Sequence, residues 1–419
     1  MSDFREDSLE NLLLPPVSGS RPAGGVNYSG EIPSVGGENI TMDGGFRFYP
    51  VKKVSKEYFD STPRGHLNDL DVLINKDGAN TGKSTIFRNS PYSNASVNEH
   101  VFILRGKPDR LDQEYLHYLL QLPSVKNTLS TKITGSAQPG LNSTFIKNFH
   151  VLIAPLPEQK KIASILTSVD GVIENTHKQI DKLQDLKKAT INELLTKGIG
   201  HTEFKDSEIG TIPKSWGVSI VKNCIVEITS GWSPDCLPEP VVGSQWGILK
   251  TTSVTWNGFD INENKALPAH LNGRAQISLR AGDVLVTRAG PIDRVGVVAF
   301  CNETYPKIML SDKIIRIRCK SDELTGEFLS IWLGSSVTQK NMRSKISGMA
   351  EAQSNISQDI LKSIPMPLPS LAEQQKIVEI LQSLDVRIIM QKNKLAQTQA
   401  LKKSLMQDLL TGKVRVQVN

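Results

Sequence analysis

Two stretches of the chain carry apolar residues at alternating spacings of four and three, the period of one face of a helix. The first runs Ile162, Leu166, Val169, Ile173, through Thr176 to Ile180 and Leu183, and past Lys187 and Thr190 to Leu194. The second runs Ile377, Leu381, Leu384, Ile388, through Gln391 to Leu395, and past Thr398 and Lys402 to Leu405 and Leu409. These seams predict two long coiled-coil helices. Prolines precede each one (Pro155 and Pro157; Pro365, Pro367 and Pro369), and Gly198, Gly200 and Gly412 punctuate their ends. Elsewhere, β-branched runs after turns, at 67–74 and 279–286, read as buried strands.

The two seams are copies of one another. From Glu158, E-Q-K-K-I-A-S-I-L-T-S-V-D matches E-Q-Q-K-I-V-E-I-L-Q-S-L-D from Glu373, and 16 of the 39 positions from 158 to 196 are identical at this offset. That is too many for unrelated helices sharing only a heptad. The regions before them repeat more faintly: Asn11, Ser18, Gly19 and Pro22 line up with Asn223, Ser230, Gly231 and Pro234, and T-K-I-T-G from Thr131 with S-K-I-S-G from Ser344. The predicted order is a globular domain (1–155), a helix (156–199), a second globular domain (200–370) and a second helix (371–419). The fold class is α+β: two globular domains alternate with two long antiparallel coiled-coil helices in an internal pseudo-two-fold repeat. A helix of about 39 residues spans roughly 58 Å, the length of a spacer.

A length of 419 residues with 38% hydrophobic and 22% charged side chains provides for sizeable cores and excludes wholesale disorder. No run approaches the ~18 apolar residues of a membrane span. The acidic, polar N-terminus is unlike a secretion signal, so a cytoplasmic location is expected. Four cysteines, none in a C-x-x-C pair, read as reduced structural thiols. The net charge of +6 is concentrated: residues 270–350 hold 12 basic against 7 acidic side chains, compatible with a nucleic-acid face or with a solvated basic surface.

Motifs for chemistry fail on spacing. In D-G-A-N-T-G-K-S-T the glycines Gly78 and Gly82 are one residue too close for a phosphate loop, and no helix is predicted after them. N-S-P-Y at 89–92 lacks one proline of the tetrad that holds a flipped base in amino-methyltransferases. The seven histidines form no ligand pattern, and no G-x-S-x-G elbow occurs. The chain reads as a non-catalytic binding protein without a cofactor or metal of its own. Its two related faces carry basic residues near the repeated loops: Lys76, Lys83 and Arg88 in the first copy, Arg288, Arg294 and Lys313 in the second, and Lys132 and Lys345 at matched turns. Gln138 and Gln353 stand in the loops after those turns, either to pair with adenine edges or to hold the loop through backbone hydrogen bonds.

P-L-P-E-Q-K-K-I (155–162) and P-L-P-S-L-A-E-Q-Q-K-I (367–377), each opening a helix that ends L-L-T, together with the central 194–216 segment and G-S-A-Q-P-G-L-N (135–142), resemble the specificity subunit of type I restriction-modification systems over the full length. Two departures stand out: E-I-G-x-I-P-x-x-W precedes only the second domain, and G-M-A-E-A-Q-S-N replaces the 135–142 motif there. The resemblance implies two target-recognition domains, each reading one half of a bipartite, asymmetric double-stranded DNA site. It implies that two modification (methyltransferase) subunits dock on those helices, and that restriction (ATP-dependent translocase/nuclease) subunits join in the complete enzyme. S-adenosylmethionine, ATP and magnesium would belong to those partners. The alternative from the residues alone is a coiled-coil scaffold or adaptor that binds only proteins.

Overall fold

The computed structural model describes residues 4–41, 43–88, 90–135, 139–236, 238–345 and 354–418. Gln138 and Gln353 lie outside the described residues. The chain divides into two compact units, 1–178 with 392–419, and 179–391. Each unit therefore holds one globular domain and one half of each long helix.

The two domains have the same sheet. In the first unit, β1 (Val17–Ser18), β2 (Val72–Asn75), β3 (Ser84–Ile86) and β4 (Val101–Leu104) lie in the order β1-β4-β2-β3, all antiparallel. In the second, β5 (Ile225–Ser230), β6 (Val284–Thr287), β7 (Val298–Phe300) and β8 (Ile314–Cys319) lie in the order β5-β8-β6-β7. β2, β4 and β6 are buried on both faces, which is why they read as unbroken apolar runs and not as alternating ones. A pair of helices covers each sheet: α1 (Gln113–Gln121) and α2 (Pro123–Thr131) in the first unit, with α4 (Gly326–Gly334) and α5 (Ser336–Ser344) in the second; α3 (Leu156–Lys197) lies between them in the chain. Asp112 and Thr325 cap α1 and α4 by accepting from the third residue along.

One buried ion pair recurs. Arg105 donates from Nε to Asp71 Oδ1 at 2.7 Å and from Nη2 to Oδ2 at 2.6 Å. Arg318 makes the same fork on Asp283, at 2.6 and 3.3 Å. Each carboxylate also caps the turn before its strand, accepting from the backbone N–H of Asn68 or Arg280 at 2.8 Å. This is the physical content of the aspartate shared by the two strand-forming runs, L-N-D-L-D-V-L-I at 67–74 and L-R-A-G-D-V-L-V at 279–286.

The second long helix, α6, spans Leu371–Leu410. Within each unit α3 and α6 run antiparallel. In the first, Ile162 and Leu166 share a core with Leu409 and Leu410, and Lys402 pairs with Asp170 at 2.6 Å. In the second, Leu194 shares a core with Ile377 and Leu381, and Lys187 pairs with Asp385 at 2.5 Å. The two ion pairs are one contact repeated at an offset of 215, which accounts for the matched S-x-D and for the L-K-K that recurs at 186–188 and 401–403. Ile162, Leu166, Ile180, Ile377, Leu381, Leu384 and Ile388 are buried, whereas Val169, Ile173, Leu183 and Leu395 are half-buried. Pro157 does not end the preceding segment. It lies in the first turn of α3, where a missing N–H costs no helical bond.

The E-Q pair at each helix start clasps two other segments. Gln159 accepts from Asp112 N at 2.9 Å and donates to the carbonyls of Arg110 and Ala154. Gln374 accepts from Thr325 N at 2.9 Å and donates to those of Glu323 and Pro369. Each glutamine thus ties its long helix to the N-terminus of the domain's covering helix. The glutamates hold the residues just beyond the opposite long helix. Glu158 takes Arg415 (Nε 2.9 Å, Nη2 2.7 Å) and Val416 N; Glu373 takes Ile199 N, His201 Nε2 and Trp216 Nε1 at 2.8–2.9 Å. The lead-in present only before the second domain supplies Trp216, and in the first unit the C-terminal residues take that place.

Hydrogen bonds from the Arg415 guanidinium hold the Glu158 carboxyl below the usual range. Its folded pKa lies below the unfolded value of about 4.3, so the clasp contributes fully above that pH and is lost as pH falls through the folded pKa. Protease sensitivity of the C-terminal residues is expected to rise only in acid. Glu158→Gln should release them at neutral pH and abolish the pH dependence.

Burial pushes the Cys301 thiol up to about 11 and Cys319 up to about 12, in keeping with packing roles. Among the described residues, no helix is long and apolar enough to cross a membrane.

Candidate nucleic-acid interface

The loops that leave β2 and β6 are held the same way in both domains. Lys76 donates its N–H to His100 O at 2.9 Å and its carbonyl accepts from Leu141 N at 2.6 Å. Arg288 donates to Lys313 O at 2.7 Å and accepts from Ile356 N at 2.9 Å. A basic residue is therefore fixed, by its backbone, between the segment around β4 or β8 and the segment after the variable Gln-bearing loop. Asp77 bridges to Gly140 and Thr134 exchanges backbone bonds with Gly140; Ala289–Gly290 pairs with Ser354–Asn355. The T-K-I-T-G turn and the Lys76 loop, separate in sequence, thus form one surface.

A third segment completes it. Gly19 and Gly231 pack so closely that a Cβ would lie 1.7 Å from Val97 O and 1.8 Å from Leu310 O. No other residue fits there, which explains the repeated Ser-Gly. Beyond the glycines the copies diverge: Arg21 pairs with Glu99, whereas Ser233 bonds Asp312.

In the first domain this surface is a cleft of about 860 Å³ whose lining includes Ser18, Arg64, Lys76, Asp77, Phe102 and Asn142. The Lys76 ammonium lies 5.2 Å from the Phe102 ring centroid. His100 links the rim: Nδ1 lies 2.6 Å from Asp77 Oδ1 and Nε2 lies 2.9 Å from Arg21 Nη2. With the Asp77 carboxylate accepting, Nδ1 carries a proton, and Nε2 lies between the Arg21 guanidinium and Glu99 Oε1, 3.2 Å away. His100 occupies the place of Lys313, and Asp77 that of Ala289. The frame is shared and the chemistry presented is not.

Not every basic residue singled out in the sequence faces this surface freely. Arg294 donates from Nη2 to the carbonyls of Thr251 and Val254, at 2.9 and 3.1 Å, and so fastens its own loop to the scaffold. Arg88 pairs with Glu114 of α1 at 3.0 Å. Lys83 bonds the Asn80 side chain across a short turn, Gly78–Asn80, and β3 comes directly after it. A strand there leaves no helix N-terminus to hold a nucleotide phosphate, in agreement with the failed loop spacing. Lys132 and Lys345 both cap a helix C-terminus, of α2 and α5, through backbone bonds to Leu129 O and Met342 O at 3.0 Å. Lys132 reaches Asn148 O at 3.4 Å, and Lys345 and Lys313 are exposed. Arg64, Asp77 and His100 were not identified from the sequence as binding residues. An offset of 213 from Lys313 points to His100.

Comparisons with known proteins agree with this architecture. The model of the type I restriction modification DNA specificity domain matches residues 26–185 and 253–399, one segment for each repeat. The MjaVIII type I restriction enzyme specificity subunit of Methanocaldococcus jannaschii is 32% identical over 362 residues, 84% of this chain and 80% of that protein. The EcoEI specificity subunit of Escherichia coli is 41% identical over 172 residues, which are 41% of this chain but only 29% of that protein. A crystal structure of the S subunit from M. genitalium shares the fold at a TM-score of 0.59 and 14% identity, covering 97% of this chain and 96% of that one. With both repeats matched by one family, and the domain-helix-domain-helix order present in the fold, the chain belongs to the specificity subunits of type I restriction-modification systems, a non-catalytic component.

Proposed function

We propose that this subunit reads a bipartite, asymmetric site in double-stranded DNA, one half by each globular domain, 1–155 and 200–370. The helical segments 156–199 and 371–419 then set the unspecified gap and dock two modification subunits, and restriction subunits join in the complete enzyme. S-adenosylmethionine, ATP and magnesium act in those partners, in the cytoplasm. The observation that carries this reading is the same three-segment surface built twice with different side chains: Lys76, Asp77 and His100 against Arg288, Ala289 and Lys313. Two copies of a frame that kept one ligand would keep its contacts. Two that read different half-sites keep the frame alone. Lys83, Arg88 and Arg294 contribute by holding loops, and Gln138 and Gln353 remain proposed readers beside them.

The test is selection of bound sequences from a randomised double-stranded pool by the full-length chain, at several salt concentrations. Two half-sites at a fixed spacing are expected, with affinity falling as salt rises. Absence of any DNA retention, beside intact binding of modification subunits, would favour the protein-only scaffold.

Lys132 and Lys345 are assigned to phosphates, since each stands at the end of a helix that borders the variable loop. Lys132→Ala and Lys345→Ala should each weaken binding to all sequences alike and lower the salt slope by about one. An unchanged slope in both variants would move the phosphate contacts to Lys76 and Arg288.

A further inference from the structure

The second domain carries a device that the first lacks. Trp232 comes after Gly231 on the segment that borders the interface: its N–H donates to Leu310 O at 3.0 Å, and the neighbouring Ser233 and Asp312 are hydrogen-bonded. Ser230, on its other side, accepts from Gln358 at 3.4 Å, close to the Ser354–Asn355 strand. Trp232 thus lies between the segment that leads to Lys313 and the one beyond the variable loop. Over its ring stands Arg274, with Cζ 3.7 Å from the ring centroid.

The arginine is placed from below as well. A Cβ on Gly273 would fall 1.9 Å from the Trp246 ring, so the chain lies flat on a second tryptophan one residue earlier. The N–H of Arg274 donates to Sδ of Met309, itself fully buried, at 3.0 Å. Arg274 is exposed, and among the described residues its guanidinium has this ring contact and no hydrogen bond or ion pair from the protein. A guanidinium stacked on an indole has lost much of its rotamer freedom already, while the in-plane edge keeps its N–H donors for an outside acceptor. Such a fork matches the O6 and N7 pair of guanine in the major groove. In the first domain Ser20 takes the place of Trp232 and bonds the Tyr58 hydroxyl at 2.8 Å, and among the described residues no arginine stacks there.

We propose that Arg274, pre-oriented on Trp232, is a specificity-determining residue that reads one guanine in the half-site of the second domain. This rests on the DNA-reading function proposed above, and the experiment separates the two. Pools of double-stranded DNA are selected with the full-length wild-type chain, with Arg274→Ala and with Arg274→Lys, and each protein's salt dependence is measured on the wild-type site. The wild type is expected to require guanine at one position that Arg274→Ala relaxes, with roughly a 10–100-fold loss on the cognate site and every other position kept. Arg274→Lys should keep the salt slope yet lose the same discrimination, because a lysine has the charge without the fork. Arg274 is exposed, so neither variant should alter thermal unfolding. Equal weakening on all sequences with a slope lower by about one would mean a phosphate contact and overturn base reading. Unchanged selection in both variants would overturn it too, while leaving DNA recognition by the subunit intact. If the wild type itself selects no sequence, both readings fall.

Discussion

Replacing Leu166 by aspartate is expected to abolish folding of the first unit. Leu166 is fully buried in α3, in a core that also holds Tyr115, Tyr118, Leu409 and Leu410. The substitution removes a leucine from a packed core, about 2–5 kcal/mol, and adds a carboxylate with no partner, whose cheapest escape is to take up a proton at a further cost of a few kcal/mol. Together these approach the whole stability of a domain, about 5–15 kcal/mol. Leu381→Asp should do the same to the second unit, where Leu381 is buried beside Ile377 and Leu194. Leu183→Asp and Leu395→Asp, at half-buried seam positions, should cost less. Leu186 is 50% exposed and off the seam, so Leu186→Asp should change stability by no more than about 0.5 kcal/mol. Circular dichroism melts of the three classes, buried, half-buried and exposed, check the order. Equal damage from Leu186→Asp and Leu166→Asp would show that the helices present different faces to each other.

The helices were legible because burial against a single partner repeats with the period of the helix itself, so Ile162 through Leu194 announce their face. The repeat made the rest of the plan readable, since two weak signals at one offset reinforce each other. What it did not disclose were contacts whose partners are far apart in sequence. Glu158 meets Arg415, 257 residues on, and nothing about either residue alone names the other. Charge counting is blind for a related reason: it registers a residue and not its direction. Of the basic side chains that make 270–350 look like a nucleic-acid face, Arg294, Arg316 and Arg318 are bound inward. Arg316 is fully buried against Glu227 and the carbonyls of Ser278 and Gln276. His100 escaped because it is chemically unlike Lys313, and a search for identities passes over positions where the copies differ. On the function proposed above, those are the positions at which two readers of different half-sites have to differ.

Arg105→Ala should cost the first unit about 3–5 kcal/mol, the toll of leaving a buried carboxylate without its counterion. The Asp71 side chain is only 4% exposed, and once the fork is gone its remaining hydrogen bond is the one from Asn68 N. For a unit of this size the loss corresponds to a melting temperature lower by roughly 6–20 °C. Asp71→Ala should be milder, because Arg105 is 33% exposed and can turn its guanidinium to water. Replacing both, as Asp71→Leu with Arg105→Met, should cost much less than the sum of the single changes, since no charge is then left stranded. Arg318→Ala offers the parallel case, for Asp283 is 1% exposed and keeps only the bond from Arg280 N. Thermal melts of the single and double variants decide the matter. A double variant as unstable as the sum of its parts would mean that Asp71 and Arg105 contribute independently of one another and that the turn cap, not the fork, holds the strand in place.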